Sequence, residues 1–276
     1  MARGRLAGPR KIPDPMSSGP MAGKVCLIAG TTGIAGASAR RFGREGASIV
    51  AIGRSAEHAA QLAAQLRAAH VPCASHVEDL AVAGAPDRAL AAALAAFGRV
   101  DVLFHVAGIS GRKAGDGPLA ECTDAGWDTV MAVNLRAMMQ LNRACIRHWL
   151  RHEQPGVILN MGSVLGFSFS VEHFNTVAYA AAKGAIIAFS QHTAASYAHA
   201  GIRVNVIAPA LVETPMAERA TADPAIRLLL QRKQPLTRAP LTDEDCASAA
   251  LYLCSDASRA VTGVVLPVDA GWCVSG

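Results

Sequence analysis

From Lys24 onward the chain alternates short, nearly unbroken apolar runs with longer stretches whose apolar positions recur at helical spacing. The first run, KVCLIA (24–29), leads into the turn AGTTGIAG (29–36), and the spacing then predicts a helix over 35–45 that Gly46 stops. SIVAI (48–52) reads as a second strand, 55–70 as a helix with Ser55 as N-cap, VPCASHV (71–77) as a third strand and the Ala-rich run 86–97 as a helix. DVLFHVAG (101–108), GVILNMGSV (156–164), IRVNVIAP (202–209) and GVVLPVDAG (263–271) complete seven strands, with helices expected over 123–152, 177–199 and 242–256. Residues 213–240 hold four prolines and mixed polarity, and read as a mobile substrate loop with a short helix.

Short apolar strands alternating with helices belong in a parallel sheet covered on both faces. The expected fold is α/β: one doubly wound parallel sheet of the Rossmann type, about seven strands in a single domain over 21–276, with ligands at the carboxyl ends of the strands. No apolar stretch approaches the roughly 18 residues of a membrane helix. The net charge of +5 says little about partners, because Arg3, Arg5, Arg10 and Lys11 against Asp14 place +3 of it in the first twenty residues. Beyond that basic tail, read as disordered, no clustered basic face interleaved with aromatics suggests nucleic acid. The tail lacks the apolar core of a secretory signal. Seven cysteines (26, 73, 122, 145, 246, 254 and 273) show neither C-x-x-C nor zinc-ligand spacing, so they read as buried thiols in a reducing compartment, the cytoplasm, and no metal site is expected.

Candidate chemistry lies at the strand ends. Tyr179 and Lys183, four apart on a helix, share a face, so the ammonium can favour ionisation of a phenol whose ordinary pKa is near ~10. Ser163 follows the strand GVILNMG and would present its hydroxyl on the ligand side. Asn134 sits mid-helix, where propensity disfavours it; a solvent-facing side chain, a helix-breaking carbonyl interaction and a water-holding role would each account for it. The turn itself could be a phosphate cradle or only a flexible Gly/Thr loop, since Gly30, Gly33 and Gly36 are each three apart instead of in the G-x-G-x-x-G spacing.

The order of landmarks decides between these readings. A Gly-rich turn, Asp79-Leu80, a strand ending in AG, VNL, a strand followed by GS, Y-x-x-x-K, IRVNVIAP and a closing LPVDAGW resembles the short-chain dehydrogenase/reductases from Lys24 to Trp272. The resemblance implies hydride transfer between NAD(H) or NADP(H) and a ketone or secondary alcohol. It implies Tyr179 as general acid/base and Ser163 as the group that orients the reacting oxygen. Lys183 would hold the nicotinamide ribose and lower the Tyr179 pKa, while Asn134 would hold a water that links Lys183 to solvent. It further implies Gly30, Thr31, Thr32, Gly33 and Ile34 around the diphosphate, Asp79 and Leu80 at the adenine, Ala107 and Gly108 beside the adenosine ribose, and Pro209, Val212 and Thr214 at the carboxamide. Where the second strand ends, Gly53-Arg54-Ser55 replaces an acidic residue, so Arg54 with Ser55 favours NADP, with NAD as the other possibility.

Departures from the family carry their own expectations. Aligning Gly33-Ile34-Ala35 with the family's G-I-G makes the turn one residue short and puts Ala35 at the helix-packing position. His105 stands where Asn is usual and is expected to be a packed, hydrogen-bonded strand residue. The 16 residues from Ser163 to Tyr179 exceed the usual spacing and bring Phe167, Phe169, His173 and Phe174 toward the pocket, which suggests an apolar or aromatic substrate. A homo-oligomer, dimer or tetramer, is expected from the family. The alternatives are a 3-oxoacyl-carrier-protein-type reductase, with Arg112-Lys113 or Arg232-Lys233 as a docking patch, and a non-catalytic nucleotide-binding regulator or scaffold.

Overall fold

The computed structural model describes residues 19–275, so the tail expected over 1–20 lies, apart from Gly19 and Pro20, outside the described residues. Seven strands form one parallel sheet: β1 (Val25–Ala29), β2 (Ser48–Gly53), β3 (Cys73–Val77), β4 (Val102–His105), β5 (Gly156–Met161), β6 (Ile202–Pro209) and β7 (Val265–Val268). Their spatial order is β3-β2-β1-β4-β5-β6-β7. The chain builds outward from β1 to β3, then returns to place β4 against the other side of β1. That reversal opens a crevice at the carboxyl ends of β1 and β4, where an α/β sheet binds ligands.

Among the described residues ten α-helices accompany the sheet: α1 (Gly33–Arg44), α2 (Ala56–Ala68), α3 (Ala85–Phe97), α4 (Asp124–Val130), α5 (Ala137–Arg151), α6 (Val171–Phe174), α7 (Val177–Tyr197), α8 (Glu218–Ala222), α9 (Pro224–Lys233) and α10 (Asp243–Cys254). Alternate residues of β1 serve opposite faces. Cys26 and Ile28 join Phe42 of α1, Leu66 of α2 and Leu253 of α10 in one apolar cluster, while Val25, Leu27 and Ala29 join Leu90 of α3 and Leu141 and Trp149 of α5 in another. Both faces of the sheet are closed, which is why its strands read as continuous apolar runs.

The helix expected over 123–152 is continuous, with a π-turn, Met131–Arg136, between α4 and α5; Asn134 in it is fully buried, which rules out the solvent-facing alternative. One expectation is corrected. Residues 213–240 carry two helices instead of one short one. Asp223 caps α9 by accepting from the N–H groups of Ala225 and Ile226, and α9 buries Ile226, Leu229 and Leu230 in a cluster with Trp272.

Candidate active site

The glycine turn is shaped by close approach. Gly30 has φ +128°, and a Cβ there would fall 2.7 Å from Cβ of Ala35, so the two positions compete for the same space. Ala35 therefore packs where a larger residue would push helix and strand apart. Gly33 has φ +52° and opens α1; a Cβ on it would meet Cγ2 of Thr214 at 3.0 Å. Thr32, the N-cap, makes no side-chain capping bond, and the first turn of α1 holds no acidic residue. The unpaired N–H groups of that turn and the positive end of the helix make a cradle for a diphosphate.

A cavity of about 480 Å³ continues from this turn along the carboxyl ends of β1, β4, β5 and β6. It is lined by Gly30, Thr31, Thr32, Gly33, Ile34, Ala107, Gly108, Ser163, Tyr179, Lys183, Pro209, Val212 and Thr214, which brings thirteen of the expected residues together. Arg54, Ser55, Asp79 and Leu80 stand apart from its wall, by β2 and β3. Arg54 is exposed, with Nη1 3.9 Å from Oδ2 of Asp79. Ser55 accepts from the His58 N–H at 3.2 Å, Asp79 accepts from the Ala81 N–H at 3.0 Å, and Leu80 is buried.

Ser163 is buried just beyond β5; its Oγ accepts from the Leu165 N–H at 3.2 Å and donates to the Pro209 carbonyl at 3.5 Å. Tyr179 and Lys183 lie one turn apart on α7, yet the ammonium sits over the ring, 5.5 Å from its centroid, and donates to the Met161 carbonyl at 2.7 Å. Burial raises the Tyr179 phenol above its ordinary pKa, and a hydrogen bond with Ser163 works the other way. The Lys183 ammonium thus addresses a carbonyl and the Tyr179 ring face together. Lys183 is itself brought down to about 8 by burial.

For Asn134 the structure shows a carbonyl interaction, one of the three accounts offered for it. Its Oδ1 accepts from the Ile109 N–H at 2.8 Å and its Nδ2 donates to the Ile109 carbonyl at 2.9 Å, which clamps the π-turn to the segment after β4. His105 is packed as expected but not hydrogen-bonded: it is fully buried, neither ring nitrogen has a partner, and burial with the nearby Lys183 charge lowers it to about 3. Phe174 lines the cavity and meets Trp272 edge-on at 6.0 Å, whereas Phe167 and Phe169 point to solvent.

Comparison with known proteins fixes the family. A family model described as enoyl-(acyl carrier protein) reductase matches residues 28–273. The chain belongs to the short-chain dehydrogenase/reductases. It is 36% identical over 253 residues to 3beta-hydroxysteroid dehydrogenase 1 of Eggerthella lenta, covering 90% of this chain and 93% of that one. It is also 36% identical over 257 residues to cis-4-hydroxycyclohexanecarboxylate dehydrogenase of Sinomonas cyclohexanicum, covering 90% and 96%. A structure from Beutenbergia cavernae with bound NADP, described as an NAD(P)-dependent gluconate 5-dehydrogenase, superposes with a TM-score of 0.83 at 33% identity, covering 92% of this chain and 99% of that one.

As a short-chain dehydrogenase/reductase the chain is an NAD(P)-dependent oxidoreductase acting on CH–OH and C=O groups. The glycine cradle, the bare first turn of α1 and the cleft beyond it suit a dinucleotide. Sequence reasoning missed Asp116, which is buried and accepts from the N–H groups of Ala178 at 3.0 Å and Tyr179 at 2.9 Å, fixing the start of α7. It also missed Met216, Arg219 and Trp272 in the cavity wall. Asp116 lies 63 residues from Tyr179 in the chain, and no local pattern links the two.

Proposed function

We propose that Ser163, Tyr179 and Lys183 carry a reversible dehydrogenation, in which a secondary alcohol and NAD(P)+ give a ketone, NAD(P)H and a proton. Their convergence on the wall of one cavity, with the Lys183 ammonium over the Tyr179 ring, is the observation that carries this reading. When bound, the nicotinamide supplies or accepts the hydride. In reduction Tyr179 gives its phenolic proton to the carbonyl oxygen, and in oxidation it takes the proton back. Ser163 donates to that same oxygen and sets its direction, held in place by the Leu165 N–H. Lys183, one turn from Tyr179, supplies a donor to ribose hydroxyls and a positive charge beside the ring. The raised Tyr179 pKa keeps the proton on the phenol at neutral pH, the form that reduction needs.

General acid catalysis contributes about 10²–10⁴-fold. Tyr179→Phe should therefore lower kcat for ketone reduction by that factor while NADPH binding, followed by fluorescence, persists. Activity that survives this substitution unchanged would sink the assignment.

The preference for NADP rests on Arg54, exposed at the end of β2 beside Asp79 and free to swing toward a 2′-phosphate. Arg54→Ala should weaken NADPH binding about tenfold, on the scale of a charge-assisted hydrogen bond, and leave NADH binding unchanged. Equal losses for both coenzymes in a calorimetric titration would place the phosphate elsewhere. The substrate is apolar in its body, since Leu165, Phe174, Leu211, Met216 and Trp272 line the cavity. A cyclic secondary alcohol fits, and both curated relatives described above are named for one. We also propose a cytoplasmic homo-oligomer; among the described residues no helix is long and apolar enough to cross a membrane.

A further inference from the structure

Charge is distributed unevenly in the cavity wall. Beyond Lys183, its charged lining consists of Arg112, Lys113 and Arg219 against the single carboxylate of Glu218. Arg112 comes from the short 3₁₀ turn after β4, and Arg219 from α8 after β6, so the two approach from different sides of the mouth. Neither arginine forms an ion pair among the described residues. Arg112 is held in place: its Nη2 donates to the His173 carbonyl at 3.2 Å. Partial burial and then the like charge of Arg219 lower the Arg112 pKa, against the opposing pull of Asp116. Two guanidinium groups lining one cavity, whose apolar lining includes Phe174, Leu211, Met216 and Trp272, leave a place for an anion that would bridge them.

We propose that the substrate bears a carboxylate on its apolar body, and that Arg112 and Arg219 hold this carboxylate at the cavity mouth while the reacting carbon sits at Ser163 and Tyr179. The inference rests on the dehydrogenase reading for the position of the reacting carbon. The arginines discriminate by charge and bidentate geometry, and the apolar wall accepts a ring, so the two ends of one molecule are recognised by different physics. Lys113, exposed on the same 3₁₀ turn, adds to the field that draws the anion in.

The test uses the full chain with NADPH and two matched pairs of ketones, 4-oxocyclohexanecarboxylate and 4-oxo-4-phenylbutanoate, each against its primary carboxamide. At least one acid should show a KM about tenfold or more below that of its amide, and the advantage should shrink as NaCl rises. In Arg112→Gln and Arg219→Gln the acid-to-amide ratio should fall toward one, with Arg219→Lys retaining part of it. Ratios near one in the wild type for both pairs would overturn the proposal. So would a strong preference for acetoacetyl-coenzyme A that vanishes in the same variants, because the anion recognised would then be a phosphate. Quenching of Trp272 fluorescence by each acid and amide, measured in a Trp127→Phe, Trp149→Phe background, gives binding without turnover. If no ketone is reduced with either coenzyme yet the acid still quenches more tightly than the amide and loses that edge in Arg112→Gln, the dehydrogenase reading fails and the carboxylate site stands.

Discussion

At the scale of single residues, the outlier is a buried imidazole. His105 sits at the end of β4, paired in register with Ala29 on one side and Asn160 on the other. On the face where Asn160 finds Asn142 and Ser190, the two nitrogens of His105 find nothing. Its folded pKa of about 3 lies below the ordinary value of 6.5, so between those values the unfolded chain binds a proton that the folded chain refuses. Stability from this residue is complete above pH 6.5 and drains away as pH falls toward 3. At pH 5 the loss is about 2 kcal/mol at 1.36 kcal/mol per unit. His105→Asn removes the titration, so the drop in thermal midpoint between pH 7.5 and pH 5 should be smaller in the variant. Equal drops in the two proteins would show that the imidazole reaches solvent.

At the scale of elements, the device that matters is the π-turn between α4 and α5. Residues 123–152 have helical spacing throughout, and nothing local says where the extra residue enters. The reason is distant: Asn134 reaches Ile109 after β4, and a Cβ on Gly108 would approach its Oδ1 to 3.0 Å. Asn134→Ala removes both bonds and leaves two main-chain groups of Ile109 without partners, at about 1–3 kcal/mol for a buried polar group. Denaturant melts should show that loss in the midpoint with the slope unchanged. A neutral substitution would mean that the π-turn is held by packing alone. The glycine turn is the opposite case: the use of Ala35 at the packing position was legible, because Gly30 and Ala35 are close in sequence as well as in space.

At the scale of the whole molecule, seven apolar runs and the helices between them were enough to read a doubly wound sheet, since strands buried on both faces have no polar positions to hide. What sequence could not show was which side chains spend themselves on the scaffold. Asp116 fixes the start of α7 and the Lys183 ammonium is taken by Met161, both through contacts between segments remote in the chain, whereas the local cap of α2 by Ser55 was legible. Because the dinucleotide cradle exists only in the folded chain, NADPH at a hundredfold its Kd should add about 2.7 kcal/mol. For a chain of this size that is a rise of roughly 5–11 °C in thermal midpoint, at about 2–4 °C per kcal/mol. No rise by differential scanning fluorimetry would argue against the cleft as the coenzyme site.

The two walls of the cavity are anchored unequally. On one, Arg112 is tied to His173, and Asp116 is tied to the backbone of Tyr179 itself, so any change there displaces the reacting phenol. On the other, Met216 and Arg219 ride on a short 3₁₀ turn and the five residues of α8, with no bond to α7 among those described above. Redesign for a new guest molecule therefore has one safe side: libraries built at Met216 and Arg219 can trade specificity while the acid–base geometry stays where it is, whereas the same effort spent on residues 112–116 would vary both at once.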